Sequence, residues 1–407
     1  MRRAALLLTV PALSLILGIS LALARPPSSA PFGIQKTIQV PHGLTAFDLT
    51  FCDAPSQLCF VADQTNKAID IIDAKNDSFL NQFVASDPTA GNFVGHVSNV
   101  NFDLNGPDGV LEAHNLHQLW VGDGKSRVWV IDIKDPSSPK VVDVISTALP
   151  GPPDPLRADE LSYDKKDKMI LIANPGDSPP FVSLISTTTH KVLKHIIFTH
   201  ATNGLEQSVF DDRTGLFYLA VPEANGPGTG EVVAIDPKTL SVVTTAVAET
   251  EDCKENGMAL YNAKQQLLLG CSSQKTLILD LKSGALKTIT ETGGSDEVWF
   301  DPHNKVYYLA DLLFRSGLTF APNIGVIDAR TEKFITNVFD GSSNPFATLM
   351  HSIAANAANN HVYVPLAANI LPFDNNPSTG LKCDKRVYRR TLRKTTLRRF
   401  DASSSVR

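Results

Sequence analysis

One short apolar run of nearly constant shape recurs seven times along these 407 residues: LCFVAD (58–63), LWVGD (119–123), MILIAN (169–174), LFYLAV (216–221), LLLGC (267–271), VYYLAD (306–311) and HVYVPL (361–366). Six of the seven are followed by a second run: AIDIID (68–73), RVWVID (127–132), FVSLIS (181–186), EVVAID (231–236), TLILD (276–280) and IGVID (324–328). Such self-similarity decides architecture, because each unit of a repeat array buries its apolar face only against its neighbours. A third run follows the second, as in KVVDVI (140–145) and KFITNV (333–338), and a shorter one precedes each pair, as in DELSYD, DEVWFD and HSIAAN. Branched and aromatic residues dominate the runs, Gly, Pro, Asn and Asp fill the gaps, and helical periodicity is nowhere sustained.

Four strands per unit, repeated radially, form a β-propeller, which leaves only short sheet edges. The expected fold is therefore all-β: a seven-bladed propeller of four-stranded antiparallel blades. The second blade is irregular, its first strand hidden in GPDGVLEA (106–113). GIQKTIQVPHG (33–43) looks like a fourth strand placed ahead of the first blade, while the seventh lacks one after HVYVPLAANILPF. An N-terminal strand that completes the last blade would latch the ring and remove two open edges.

In LCFVADQTNKAIDIIDAKNDSFLNQFVA and in VYYLAD…IGVIDARTEKFITNV, the chain resembles the seven-bladed bacterial propellers of the YVTN-repeat kind, over roughly residues 33 to 380. The resemblance implies fold far more than activity, because propellers host many functions.

The ends of the chain differ from its body. Residues 1–24 carry Arg2 and Arg3, an apolar stretch and an Ala22-Leu23-Ala24 ending, which reads as a cleaved export signal followed by a Pro/Ser-rich linker (25–32). The expected location is periplasmic or secreted. Past this signal each repeat averages about 55 residues, slightly above the 40–50 of common blades, so loops of moderate length are expected. From 381 to 407 ten Lys/Arg face only Asp384 and Asp401, so this tail holds a surplus of eight positive charges and the rest of the chain −13 against the overall −5. Such like charge predicts a disordered tail outside the ring, with membrane contact only through it or through an uncleaved signal. An acidic body argues against nucleic acid as a ligand.

Five cysteines in an exported chain are disulfide candidates. Cys253 and Cys271 flank one expected hairpin, Cys52 and Cys59 a shorter one, and Cys383 is left over.

Aligning the first strands on their terminal Asp or Asn (53, 164, 211, 262, 301, 356) places Asp48, Asp159, Glu206, Gly257, Asp296 and His351 at one position, with Asp108 as a seventh; the next position holds Glu160, Gln207 and Glu297. First strands line a propeller's channel, so these groups should converge at its mouth. Close carboxylates repel by about 4 kcal/mol per pair at 4 Å and an effective dielectric of 20, so they must protonate, spread apart or share a cation. One reading is a divalent-metal site of Asp48, Asp159, Glu206, Asp296 and His351, taking calcium, magnesium, zinc or manganese. The other is a polar mouth that only holds water and fixes strand ends. The repeated aspartates of the "VID" runs are expected to cap turns. Trp120, Trp129 and Trp299 are expected to pack between blades.

No nucleophile elbow, phosphate loop, dinucleotide fingerprint or haem-attachment motif is present. The first expectation is thus a monomeric binding or scaffold module for a small molecule or protein, with the axial funnel as ligand site. The second is a metal-dependent hydrolase resembling the gluconolactonase propellers; that resemblance implies Asp159, Glu206, Asp296 and His351 as ligands and Glu160 or Glu297 as general base acting on a lactone-like ester.

Overall fold

The computed structural model describes residues 34–151, 154–316, 319–320, 322–339, 350–366 and 396–401. These form a β-propeller of four-stranded antiparallel blades. Six blades are contiguous in sequence. The first consists of Thr50–Asp53, Leu58–Asp63, Ala68–Asp73 and Ser78–Phe83, and the pattern repeats with innermost strands Val110–Ala113, Leu161–Asp164, Ser208–Asp211, Glu255–Tyr261 and Val298–Asp301. A further four-stranded sheet is assembled from both ends of the chain, in the order Ala354–Asn356, His361–Leu366, Thr396–Asp401 and Ile34–Gln39. The export signal, the linker and Cys383 lie outside the described residues.

This terminal sheet corrects two expectations. The N-terminal strand does join it, but pairs with Thr396–Asp401 and not directly with His361–Leu366. The strand between them comes from the basic segment expected to be disordered. Charge density was the wrong guide there, because both neighbouring strands offer open ladders, and backbone pairing satisfies both whatever the side chains carry.

Burial explains why the second and third strands of each blade read as continuous apolar stretches. Leu58–Asp63, Met169–Asn174 and Val306–Asp311 are buried almost throughout, being covered on both faces by neighbouring blades. Apolar clusters fill every gap between successive blades. Phe60, Ile69 and Ile71 of the first blade meet Val121 and Trp129 of the second, and Tyr363 and Ala354 of the terminal sheet meet Cys59, Val61 and Ile72 of the first. Trp120 and Trp129 are fully buried in such gaps, and Trp299 packs at the margin of two. All three serve inter-blade packing.

The polar punctuation of the repeat divides into two jobs. Aspartates that end the third strand of a blade accept turn amides, as Asp73 does from Asn76, Asp236 from Lys238 at 2.8 Å and Asp328 from Arg330 at 2.8 Å. Where the second strand of a blade ends in a polar residue, that residue is instead buried and ties down neighbouring loops. Asp123 accepts from Val94 and the Trp129 indole, Asn174 donates to Ser126 and Thr147, and Asp311 accepts from Ser295 and Thr292.

Cys52 is bonded to Cys59 and Cys253 to Cys271, with Cα atoms 4.1 and 4.7 Å apart. Both pairs fit an oxidising compartment. Among the described residues no helix is long and apolar enough to cross a membrane. A nonreduced digest should yield the linked peptides around Cys253 and Cys271, and replacing both with serine should cost about 3 kcal/mol, the chain-entropy value for a loop of this size. Free thiols at both positions would refute the pairing.

Candidate functional site: a carboxyl-lined axial mouth

A single backbone register sets the site. In five blades the amide of the aligned residue donates to the second strand of the same blade: Asp48 to Ala62, Asp108 to Gly122 and Asp159 to Ala173 at 2.9 Å, Glu206 to Ala220 at 3.1 Å, Asp296 to Ala310 at 3.0 Å. Five carboxyl groups therefore stand at one height around the channel. The fifth blade has Gly257 at this point for a steric reason: its amide donates to the Asp296 carbonyl, and a Cβ would lie 2.4 Å from that oxygen. Its neighbour Asn256 points an amide at Asp296 Oδ1 instead, at 3.0 Å.

Two cations from the chain itself enter this ring. Arg157 reaches Asp159 Oδ2 with Nη2 at 2.9 Å, Asp103 Oδ1 with Nε at 3.2 Å and Asp48 Oδ2 with Nη1 at 3.4 Å, with Asp108 Oδ1 at 3.9 Å. His351 donates through Nδ1 to Asp296 Oδ2 at 2.6 Å and through Nε2 to Asp48 Oδ1 at 3.0 Å. Gln64 adds an amide to Asp108 Oδ1 at 2.9 Å. Burial works against the His351 charge, yet Asp296 and Asp48 hold the imidazolium well above the usual histidine range. Burial likewise opposes the Asp48 charge, but His351 and Arg157 keep that carboxyl below its ordinary value.

The remaining carboxyls are under-compensated. Burial, then the proximity of Asp48, pushes Asp108 well up. Glu160 rises through burial and the facing Glu297, and Glu206 through burial and Asp159. Burial drives Asp159 and Glu297 to about 7. Asp108 Oδ2, Glu160 Oε2 and Glu297 Oε2 are buried with no donor among the described residues. Such oxygens need protons, water or a cation.

Every residue of the expected metal set thus stands at the mouth, but in two groups. Asp48, Asp108 and Asp159 offer oxygens within 4.8 Å of one another, and Arg157 lies among them. His351 has both ring nitrogens committed to carboxylates, which leaves no lone pair for a metal in this arrangement. Sequence reasoning missed Arg157, Asp103 and Gln64, which lie in connections outside the strands, and Asn256, which sits in the inner strand of the fifth blade one position before the aligned residue. The one available signal was Arg157 itself, an isolated cation two residues before the Asp159-Glu160 pair in an acidic neighbourhood.

At the far end of the inner strands, His114 Nδ1 lies 3.1 Å from Asp53 Oδ2 and 3.2 Å from Glu112 Oε1, while Ser56 donates to Glu112 Oε2 at 2.7 Å. The His114 and His117 rings, 6.0 Å apart, form no joint ligand pair.

No protein-family model matches the chain, and no curated protein matches it. The resemblance to YVTN-repeat propellers therefore rests on its blade pattern alone.

Proposed function

We infer that the chain is an exported, monomeric propeller binding module in which the terminal sheet serves as the seventh blade and the axial mouth takes a cationic ligand. The surplus of acid carries this reading: among the described residues, Arg157 and His351 are the cations that face Asp48, Asp103, Asp108, Asp159, Glu160, Glu206, Asp296 and Glu297. Three buried oxygens in that set have no donor among the described residues. A bound cation would compensate them without the protons they otherwise need. Half-buried Glu206 and Asp296 give access from solvent.

A divalent ion is the simplest such ligand. Calcium, magnesium, zinc or manganese at 100 times its dissociation constant should stabilise the fold by about 2.7 kcal/mol. Replacing Asp159 and Asp296 with asparagine should abolish the rise in melting temperature. A wild type indifferent to all four ions and to organic ammonium ions, with a double variant more stable than its parent, would reduce the carboxyls to tolerated repulsion.

The hydrolase reading keeps one specific support. Glu297, raised to about 7 and facing Glu160, has the proton affinity a general acid or base needs near neutrality. Lactone hydrolysis by the wild type that Glu297→Gln removes while the fold persists is the outcome this reading requires; a wild type without lactonase activity removes it.

A further inference from the structure

The blade connection from Val84 to Pro107 is a long insertion at the mouth, and it is pinned rather than loose. Gly95 donates to the Gly106 carbonyl at 2.6 Å and His96 to the Gln64 carbonyl at 2.8 Å. The buried side chain of Asn105 accepts from the amides of Val97 and Ser98 and donates to the Ser98 carbonyl. These bonds fix the tip, 97–104, and the short helix Phe102–Leu104 within it. From that helix Asp103 reaches Arg157, so the tip stands directly beside the carboxyl ring. Its composition is unusual for an exposed loop. Of eleven large apolar residues exposed among the described residues, four are here: Val97, Val100, Phe102 and Leu104, with Val100 92% and Phe102 60% exposed.

A cluster of apolar side chains left in water on a pinned loop marks a contact surface, and the adjoining ring carries more carboxyls than cations. We propose that tip and funnel form one composite site for a lysine- or arginine-bearing apolar segment of a partner protein, its cation seated by Glu206 and Asp296 and its apolar flank on Val100 and Phe102. This rests on reading the funnel as a cation site. Arg157 is the chain's own precedent: an alkyl stem that delivers a guanidinium to Asp159, Asp103 and Asp48. Charge complementarity selects the cationic end of the partner. A bare metal ion would leave the apolar tip without a role, whereas a segment joining both features uses each.

The test measures fluorescence anisotropy of three labelled heptapeptides on the full-length protein. One has a central lysine flanked by two leucines on each side, one has norleucine for the lysine, and one has serines for the leucines. The lysine–leucine peptide should bind about ten-fold more tightly than either other, a gain of about 1.4 kcal/mol. Val100→Ser with Phe102→Ser, both exposed, should bring it to the level of the serine peptide without lowering the melting temperature. If lysine and norleucine peptides bind alike, this inference fails, while the cation reading of the funnel stands or falls separately with the melting response to the four ions and to organic ammonium ions. If the lysine matters but the leucines or the double substitution do not, only this inference fails. A dimer that the double substitution converts to monomer in sedimentation would assign the tip to a second copy and overturn the proposal.

Discussion

Arg157→Ala is expected to lower the unfolding free energy by about 3–5 kcal/mol at pH 8, the usual cost of stripping one partner from a buried ion pair, and by much less at pH 5. The guanidinium is the counter-charge nearest to Asp159, and it also faces Asp48, Asp103 and Asp108. Without it, Asp108 and Asp159, already raised by burial, rise further. At pH 5 they hold protons in the folded state, so little charge is left uncompensated. At pH 8 the folded protein must either bury the charges or take up protons against the pH gradient. Adding Asp108→Asn should recover a substantial part of the loss at pH 8, because one acceptor of the missing charge is then neutral. Urea unfolding of the three proteins at both pH values measures this directly. Equal destabilisation at pH 5 and pH 8 would show that Arg157 acts through packing of its stem.

Much of the fold was legible because burial on both faces of each blade turns the second and third strands into apolar runs, and runs such as LCFVAD and VYYLAD survive any variation in the loops. The register of the mouth was legible too. Counting back from the terminal Asp or Asn of each inner strand works because the same amide-to-carbonyl bond fixes that residue in five blades. What lay outside the repeat stayed hidden. Arg157 and Asp103 approach the ring from connections, where no period constrains position, so only three-dimensional closure brings them beside Asp48, more than fifty residues away in both cases. Thr396–Asp401 was missed for the opposite reason. A strand recruited to two waiting edges needs little from its own side chains, and its arginines gave a louder signal than its backbone.

The acid surplus also dictates how the whole fold should respond to pH. Glu297, Asp159 and Asp311 are each raised to about 7 and Glu255 to about 8, in every case chiefly by burial. An acid whose folded value exceeds its unfolded one binds more protons when folded, so stability falls as pH climbs from the unfolded value, near 4, through the folded one. His351 acts in the same sense: its raised imidazolium stabilises the fold at low pH and the contribution is lost as pH passes its folded value. Glu297 alone, moved from 4.5 to about 7, represents on the order of 3 kcal/mol between those limits at 1.36 kcal/mol per unit. The protein should therefore melt at a higher temperature at pH 5 than at pH 8. Glu160→Gln should flatten this slope, since a neutral amide facing Glu297 donates a hydrogen bond and removes the repulsion; the variant should be more stable than the wild type at pH 8 and nearly equal to it at pH 5. Melting curves at half-unit intervals across this range decide the matter. A wild-type melting temperature that rises steadily from pH 5 to pH 8 would mean that the ring is hydrated and ionised throughout, and the need for a bound cation would disappear with it.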